Sequence, residues 1–106
     1  MTLKEAKAQL SSVAPTALHA FRSEQKVPYI VFCFEDYQTE KSDDGTMCTI
    51  TKTLVIDLYT DKKDPTLESK IENGILKPYD YQKTENYFDT EKILAVTYTA
   101  DITEKG

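Results

Sequence analysis

Residues 54–65, Leu-Val-Ile-Asp-Leu-Tyr-Thr-Asp-Lys-Lys-Asp-Pro, run from an alternating strand through a polar turn into the start of a helix. Every second residue from Leu54 to Leu58 is apolar, which is the period-two pattern of a strand with one buried face. Asp64 followed by Pro65 is typical of a helix N-terminus, because aspartate caps the first turn and proline there has no N–H to lose. The stretch therefore predicts a strand on a hydrophobic core, followed by a helix.

The strand of this junction is predicted to extend upstream and to form a long hairpin. Residues 28–37 are rich in aromatic and β-branched residues, and both faces of this strand are apolar. The Asp-Asp-Gly sequence at 43–45 is a hairpin turn signal, after which residues 47–59 read as one strand. Such a strand spans about 43 Å, more than a small core covers. We therefore expect the hairpin from about Glu35 to Thr53 to project as an arm.

Two helices are predicted. Thr2 and Glu5 form a capping box ahead of an amphipathic helix over residues 3–13. The helix that begins at the junction is expected to end near Leu76, with the Asn-Gly pair at 73–74 supplying residues that tolerate the left-handed conformation.

Three further strands complete the order of elements. Apolar and polar residues alternate weakly over residues 17–22 and clearly over residues 94–102, and residues 79–88 are predicted as a short strand that contains three tyrosines. The order α-β-β-β-α-β-β indicates an α+β fold in which an antiparallel sheet carries both helices on one face. At 106 residues the chain is predicted to be a single domain over residues 1–106.

Composition argues against several classes of function. The formal net charge is −5 at pH 7, from 18 acidic and 13 basic residues, so nucleic acid is not expected as a direct ligand. No apolar run approaches the ~18 residues that span a bilayer, and the charged start does not resemble a signal peptide. Two cysteines without a CxxC motif indicate an intracellular, reducing compartment.

No motif predicts catalysis, a cofactor or a metal site. One histidine and two cysteines without close spacing do not make a zinc site, and no glycine-rich phosphate loop is present. An enzyme that uses Cys33 or Cys48 with His19 stays open as a minority alternative, as does a disulfide between the two cysteines. Asp57 and Asp101 could face each other across strands, but outward surface positions are the favoured interpretation.

Two groups of residues are candidates for contacts with other proteins. A locally acidic loop, which could face a lumen or dock on a partner, contains Glu35, Asp36, Glu40, Asp43 and Asp44. The apolar character of both faces of the first long strand favours a subunit interface built from Tyr29, Val31, Cys33, Met47 and Thr49.

The chain also resembles a protein family. The residues that carry the resemblance are the runs at 56–65, 67–68, 70–72, 27–30, 87–92 and 96–98. In this order they are similar to small proteins from the head–tail gene block of long-tailed phages and prophages of Gram-positive bacteria, the tail-terminator or tail-to-head joining family. The similarity extends over nearly the whole chain, and Tyr-Thr-Asp-Lys-Lys-Asp-Pro at 59–65 is its distinctive part.

This resemblance implies a non-enzymatic structural protein that forms a ring, usually a hexamer, on the last ring of the tail tube. Its implied partners are further copies of itself, the tail tube protein and the head–tail connector protein, with DNA only passing through the ring and no membrane. The implied location is the tail–head junction of the virion, after synthesis in the host bacterial cytoplasm. A neighbouring head–tail connector component and a small prophage adaptor acting as a binding module stay open as alternatives.

Overall fold

The elements follow the predicted order. The computed structural model describes residues 2–20, 26–41 and 48–105, without the side chains of 36–41, 48–50 and 104–105. In chain order the elements are α1 (Leu3–Ser11), β1 (Thr16–Leu18), β2 (Tyr29–Lys41), β3 (Cys48–Thr60), α2 (Pro65–Glu72), β4 (Tyr81–Phe88) and β5 (Ile93–Lys105). The α+β class is therefore confirmed.

The strands form one five-stranded sheet in the order β1-β2-β3-β5-β4. All neighbouring pairs are antiparallel except β1 and β2, which run parallel with Thr16 opposite Ile30. The sheet is thus mixed, whereas the sequence predicted an antiparallel one. Alternation of apolar residues fixes which face a strand buries, but it does not fix the direction in which a short strand pairs.

Both helices begin as predicted. The Asp64 side chain accepts a hydrogen bond from the backbone N–H of Leu67 at 3.2 Å, with Pro65 in the first turn. The Thr2 hydroxyl accepts from the backbone N–H of Glu5 at 3.1 Å. Each cap satisfies a backbone donor that the helix itself leaves unpaired, which fixes where the helix starts.

The end of α2 differs from the prediction. The helix stops at Glu72, and Asn73 has φ −93°, so it is right-handed rather than left-handed. Gly74 is required for a different reason, because a Cβ atom there would lie 2.6 Å from the carbonyl oxygen of Lys70. The close approach of the chain to the last turn of α2, and not a positive φ, therefore selects glycine.

The core lies on one face of the sheet, under both helices. Its buried members from the helices and their flanking turns are Ala6, Leu10, Ala14, Ile71, Ile75 and Leu76, and those from the strands are Ile30, Phe32, Leu54, Ile56, Leu58, Val96, Tyr98, Ala100 and Ile102. We call this side the helix face. The predicted placement of two helices on one face is confirmed, and the opposite side, which no described helix covers, is called the open face.

The long hairpin is joined along most of its length by a third strand. β2 and β3 pair from Tyr29–Tyr59 to Lys41–Cys48, with a register shift after Glu35. β5 accompanies β3 to the pair between Thr49 and Lys105, so the part beyond the core is three strands wide. The molecule measures 54 × 27 × 24 Å, and the sheet accounts for its long dimension. The predicted hairpin thus extends past the core, but as part of the sheet.

Candidate interaction surfaces

The open face contains three of the five residues predicted as a subunit interface. Tyr29, Val31 and Cys33 alternate with core residues along β2 and are half-buried, although no described helix packs on them. Thr49 lies in β3, but its side chain is outside the described part, and Met47 lies outside the described residues. The structure therefore brings the β2 residues together on one surface, and their role as an interface stays a prediction.

One end of the open face is aromatic. The rings of Tyr29 and Tyr59 stack with centroids 4.8 Å apart and planes at 23°. A cavity of about 240 Å³ lies between these rings and Phe88, Glu91 and Ile93. Phe88 is 48% exposed, so this end of the open face presents a large apolar ring to solvent beside two tyrosines. The sequence prediction missed the contributions from β4 and β5, because it did not establish how these strands pair.

Carboxylates on the open face are bonded by neutral hydroxyl groups. Thr97 donates to Asp57 at 2.6 Å, and Thr53 donates to Asp101 at 2.8 Å, in both cases across the β3–β5 pair. The outward placement of the two aspartates is as predicted, and each faces a threonine rather than the other aspartate. The two aspartates therefore do not form a carboxylate pair across the strands.

A groove beside β4 extends the open face. It has a volume of about 590 Å³ and is lined by residues 78–82 together with Thr99, Asp101 and Thr103 of β5. Its only titratable side chains are carboxyls and tyrosine hydroxyls, and it contains no cysteine, histidine or lysine. This groove offers contact area rather than a nucleophile or a cation.

The predicted acidic loop is not a loop where it is described. Glu35, Asp36 and Glu40 lie within β2, which extends four residues past the predicted end at Tyr37. Of these, only Glu35 has a described side chain, and it is exposed. Asp43 and Asp44 lie outside the described residues. β2 continues through a register shift after Glu35, because residues 35–41 contain no glycine or proline and their polar character does not end the strand.

The Cys33 thiol is not activated as a nucleophile. Its Sγ donates to Glu35 Oε1 at 3.6 Å. Burial, reinforced by the neighbouring Glu35 carboxylate, raises the pKa of the thiol and so favours its unreactive neutral form. His19 follows β1, and its backbone N–H donates to the carbonyl of Phe32 at 2.9 Å. No described hydrogen bond joins the imidazole to the thiol, so the geometry lacks the base that a Cys–His pair needs.

The register of the hairpin also separates the two cysteines. Cys33 is opposite Val55, whereas Cys48 is opposite Lys41. The two positions are seven residues apart along β3, which corresponds to roughly 23 Å. A disulfide within one chain, left open by the sequence, is therefore excluded by distance.

An ion-pair network joins α2 to β4 on the helix face. Glu68 is 2% exposed, and its Oε1 lies 2.8 Å from Lys63 Nζ and 2.6 Å from Lys83 Nζ. Lys83 also contacts Glu72 at 2.9 Å, and Lys63 pairs with Glu85. Although burial favours the neutral acid, hydrogen bonds from the two lysines hold the pKa of Glu68 below its ordinary value. The network thus couples a short helix to an edge strand.

Two tyrosines complete this network at Glu72. The hydroxyl of Tyr98, a fully buried residue, donates to Glu72 Oε2 at 2.8 Å, and that of Tyr81 donates to Oε1 at 3.0 Å. Burial opposes ionisation of Glu72, but the hydrogen bonds from Lys83 and both tyrosines hold the pKa of this carboxyl below its ordinary value. Burial and the carboxylate together raise the pKa of Tyr98. These groups are bonded to one another, which indicates a structural role.

The sequence prediction missed this network, although two signals for it exist. Glu68 and Glu72 are four residues apart and therefore lie on one side of α2. Lys83 and Glu85 are two residues apart in β4 and therefore lie on one face of the sheet. The sequence does not show that β4 pairs with β5. This pairing brings the β4 residues next to the carboxylates of α2.

The described residues contain neither a metal-binding cluster nor a helix that could span a membrane. Within residues 2–20, 26–41 and 48–105, no three His, Cys, Asp or Glu side chains are grouped so that they could hold a metal ion. Neither α1 nor α2, the helices of the described part, has the length and apolar character of a membrane span.

A likeness to a solved structure follows the fold rather than the sequence. The chain is similar to one in a structure described as the virion of a native gene transfer agent particle, with a TM-score of 0.57 and 10% sequence identity. The match covers 96% of this chain and 88% of that chain. No protein-family model matches the sequence. A search of curated proteins finds no match either. At this identity the likeness concerns the shared fold alone.

Proposed function

We propose that this protein is a structural component of a phage-like virion, and more specifically a tail terminator that caps the tail tube and joins it to the head connector as a ring. The observation that carries the proposal is the likeness over 96% of the chain to a virion protein of nearly the same length. The family resemblance centred on residues 56–65 supports the same class of protein independently of the fold comparison.

The arrangement of the sheet supports an assembly role. The helix face is closed by two capped helices, an apolar core and an ion-pair network, whereas the open face leaves Tyr29, Val31 and Tyr59 half-exposed. Apolar surface of this kind, flanked by polar residues, is typical of a contact site between proteins. A ring of identical subunits uses such a surface in every copy.

The chemistry of the described residues supports a role without catalysis. Burial favours the neutral form of the Cys33 thiol, and on the helix face Glu68 and Glu72 are bonded to lysines and tyrosines. A structural protein of a virion needs stable contacts rather than an activated group. The bonded carboxylates and the neutral thiol agree with this requirement.

The proposal is tested by electron microscopy of the purified protein, alone and mixed with tail tubes made from the tube protein of the same gene block. We expect rings in the first sample and capped tubes in the second. Deletion of the gene from the phage should give separate heads and tails, with tails of uncontrolled length. A protein that neither forms rings nor binds tubes, together with normal virions after the deletion, would overturn the proposal in favour of a small adaptor.

Proteins with a different position in the connector are distinguished in the same experiment. A connector component would bind purified heads and leave tube ends uncapped, whereas a tail terminator caps the tubes in the absence of heads. The control is a tube preparation mixed with an unrelated acidic protein of similar size.

A further inference from the structure

Among the described side chains, the open face carries carboxylates that no basic group pairs with. Glu35, Asp57 and Asp101 all lie on it, and the groups bonded to them are the thiol of Cys33 and two threonine hydroxyls. None of the ion pairs between described side chains includes these three carboxylates. Neutral donors stabilise a carboxylate without cancelling its charge, so the face keeps an acidic half beside its aromatic and aliphatic half.

The outer side of α1 has the complementary character. Ala6 and Leu10 face the core, which turns Lys4, Lys7 and Ser11 outward along one side of the helix. Leu3, next to these lysines, is 44% exposed. No ion pair between described side chains includes Lys4 or Lys7. We call Leu3, Lys4, Lys7, Ala8 and Ser11 the α1 stripe.

The α1 stripe and the open face cannot meet within one molecule. α1 packs through Ala6 and Leu10 against the helix face, and the open face lies on the other side of the same sheet. Two complementary surfaces on opposite sides of a molecule define a heterologous contact, in which each copy binds the next. Contacts of this type close into rings when the rotation between copies permits it.

We propose that the α1 stripe of one copy docks on the open face of the next copy. In this arrangement Leu3 meets the apolar half of the face around Val31 and Val55, and the two lysines lie over its carboxylates. The proposal rests on the proposed ring-forming function and specifies the partner surface. A contact between two open faces would instead bring the carboxylates of both copies into one interface, where like charges repel each other.

Charge reversal tests this contact. The variant Lys4→Glu/Lys7→Glu and the variant Glu35→Lys/Asp101→Lys should each weaken assembly at least tenfold in concentration, measured by sedimentation velocity at low salt. Combining all four substitutions in one chain should restore assembly, because every interface then contains the exchanged charges. The matched control is Lys62→Glu/Lys70→Glu, which makes the same charge change on exposed residues near and on α2 and should leave assembly unchanged.

Folding is checked separately by circular dichroism and urea unfolding of every variant. Because Asp101→Lys removes the bond to Thr53, the milder pair Glu35→Gln/Asp101→Asn serves as a second variant and should weaken assembly by a smaller factor. Higher ionic strength should weaken assembly of the original protein, since exposed charges are screened.

Three results would overturn the proposal. They are assembly of Lys4→Glu/Lys7→Glu at the original strength, failure of the fourfold variant to assemble although it folds, and a protein that is monomeric at every concentration. Rings or capped tubes that form regardless of these substitutions would refute the contact and leave the proposed function intact. Loss of tube capping by the unsubstituted protein would refute the function itself.

Discussion

The helix face and the open face alternate along the three central strands, so β2, β3 and β5 each place one residue in the buried core and the next on the uncovered surface. Phe32 is 1% exposed under the helices, while its neighbour Val31 is half-exposed on the other side. Charged groups follow the same division. On the helix face carboxylates contact lysines, and on the open face they contact threonine hydroxyls and the Cys33 thiol. The difference indicates which contacts are completed within the chain and which are available to another molecule.

The largest expected effect is a core truncation on the helix face. Phe32→Ala should lower the free energy of unfolding by about 3–5 kcal/mol, because it removes a buried ring and leaves a cavity. Val31→Ala is the matched control on the open face and should cost about 1 kcal/mol or less in the monomer. Urea denaturation at low protein concentration measures both. Equal losses of unfolding free energy in the two variants would contradict the difference in burial between the two faces.

The ion-pair network is expected to matter next. Glu68→Gln keeps the shape of the side chain but removes the charge that Lys63 and Lys83 share, so it should cost about 1–3 kcal/mol. Glu85→Gln, at a side chain that is 42% exposed, should cost about 0.5 kcal/mol or less. The measurement is again urea unfolding at neutral pH. A Glu68→Gln protein as stable as the original would assign the network no role in holding α2.

Gly74 tests the close approach at the end of α2. Gly74→Ala places a methyl group 2.6 Å from the Lys70 carbonyl oxygen and should cost about 1–2 kcal/mol as the chain shifts away. Asn73→Ala, one residue earlier and exposed, should change stability little. Thermal unfolding of the two variants separates these outcomes, and an unchanged midpoint for Gly74→Ala would refute the steric explanation.

The pH dependence of stability is expected to follow the ion-pair network of the helix face, with a smaller effect than the substitutions above. The folded pKa values of Glu68 and Glu72 lie below their unfolded values, so the unfolded chain binds more protons in acid. Their contribution is present above about pH 4.5 and is lost as the pH falls through the folded values. Lys83 and Tyr98 have raised pKa values, so stability is also lost as the pH rises above about 10.

This dependence is measured by urea unfolding across the pH range. Removing both carboxyls in Glu68→Gln/Glu72→Gln should flatten the acid limb by up to about 1.4 kcal/mol per pH unit for each proton no longer taken up. The same slope in the variant and in the original protein would show that other carboxyls cause the acid loss.

The local parts of the fold could be predicted from the sequence because their causes are local. The cap at Asp64 and the element order depend on residues close together in the chain, and the structure confirms them. The strand predicted to end at Tyr59 ends one residue later, at Thr60. The parallel pairing of β1 depends on a choice of direction that alternation does not encode. The role of Gly74 depends on a carbonyl oxygen in the preceding turn, and a glycine in sequence does not reveal which constraint selects it.

The candidate surface could be predicted only where it belongs to one strand. Tyr29, Val31 and Cys33 share a face by alternation alone, so they were identified together. Phe88 and Ile93 join them because β5 pairs with β3 and β4 pairs with β5, and these pairings link segments far apart in sequence. The polar composition of residues 38–41 predicts a loop, but these residues contain no glycine or proline and lie in β2.

The position of β5 between β3 and β4 has a consequence for how the chain folds. The β3–β5 pairs join residues as distant as Thr49 and Lys105, while the β2–β3 and β4–β5 hairpins each close over short distances at their turns. Local hairpins form in microseconds, but long-range strand pairing delays folding to milliseconds or seconds. We therefore expect two preformed hairpins to join late, with the inner edge of β3 exposed until β5 arrives, and refolding to aggregate more as protein concentration rises.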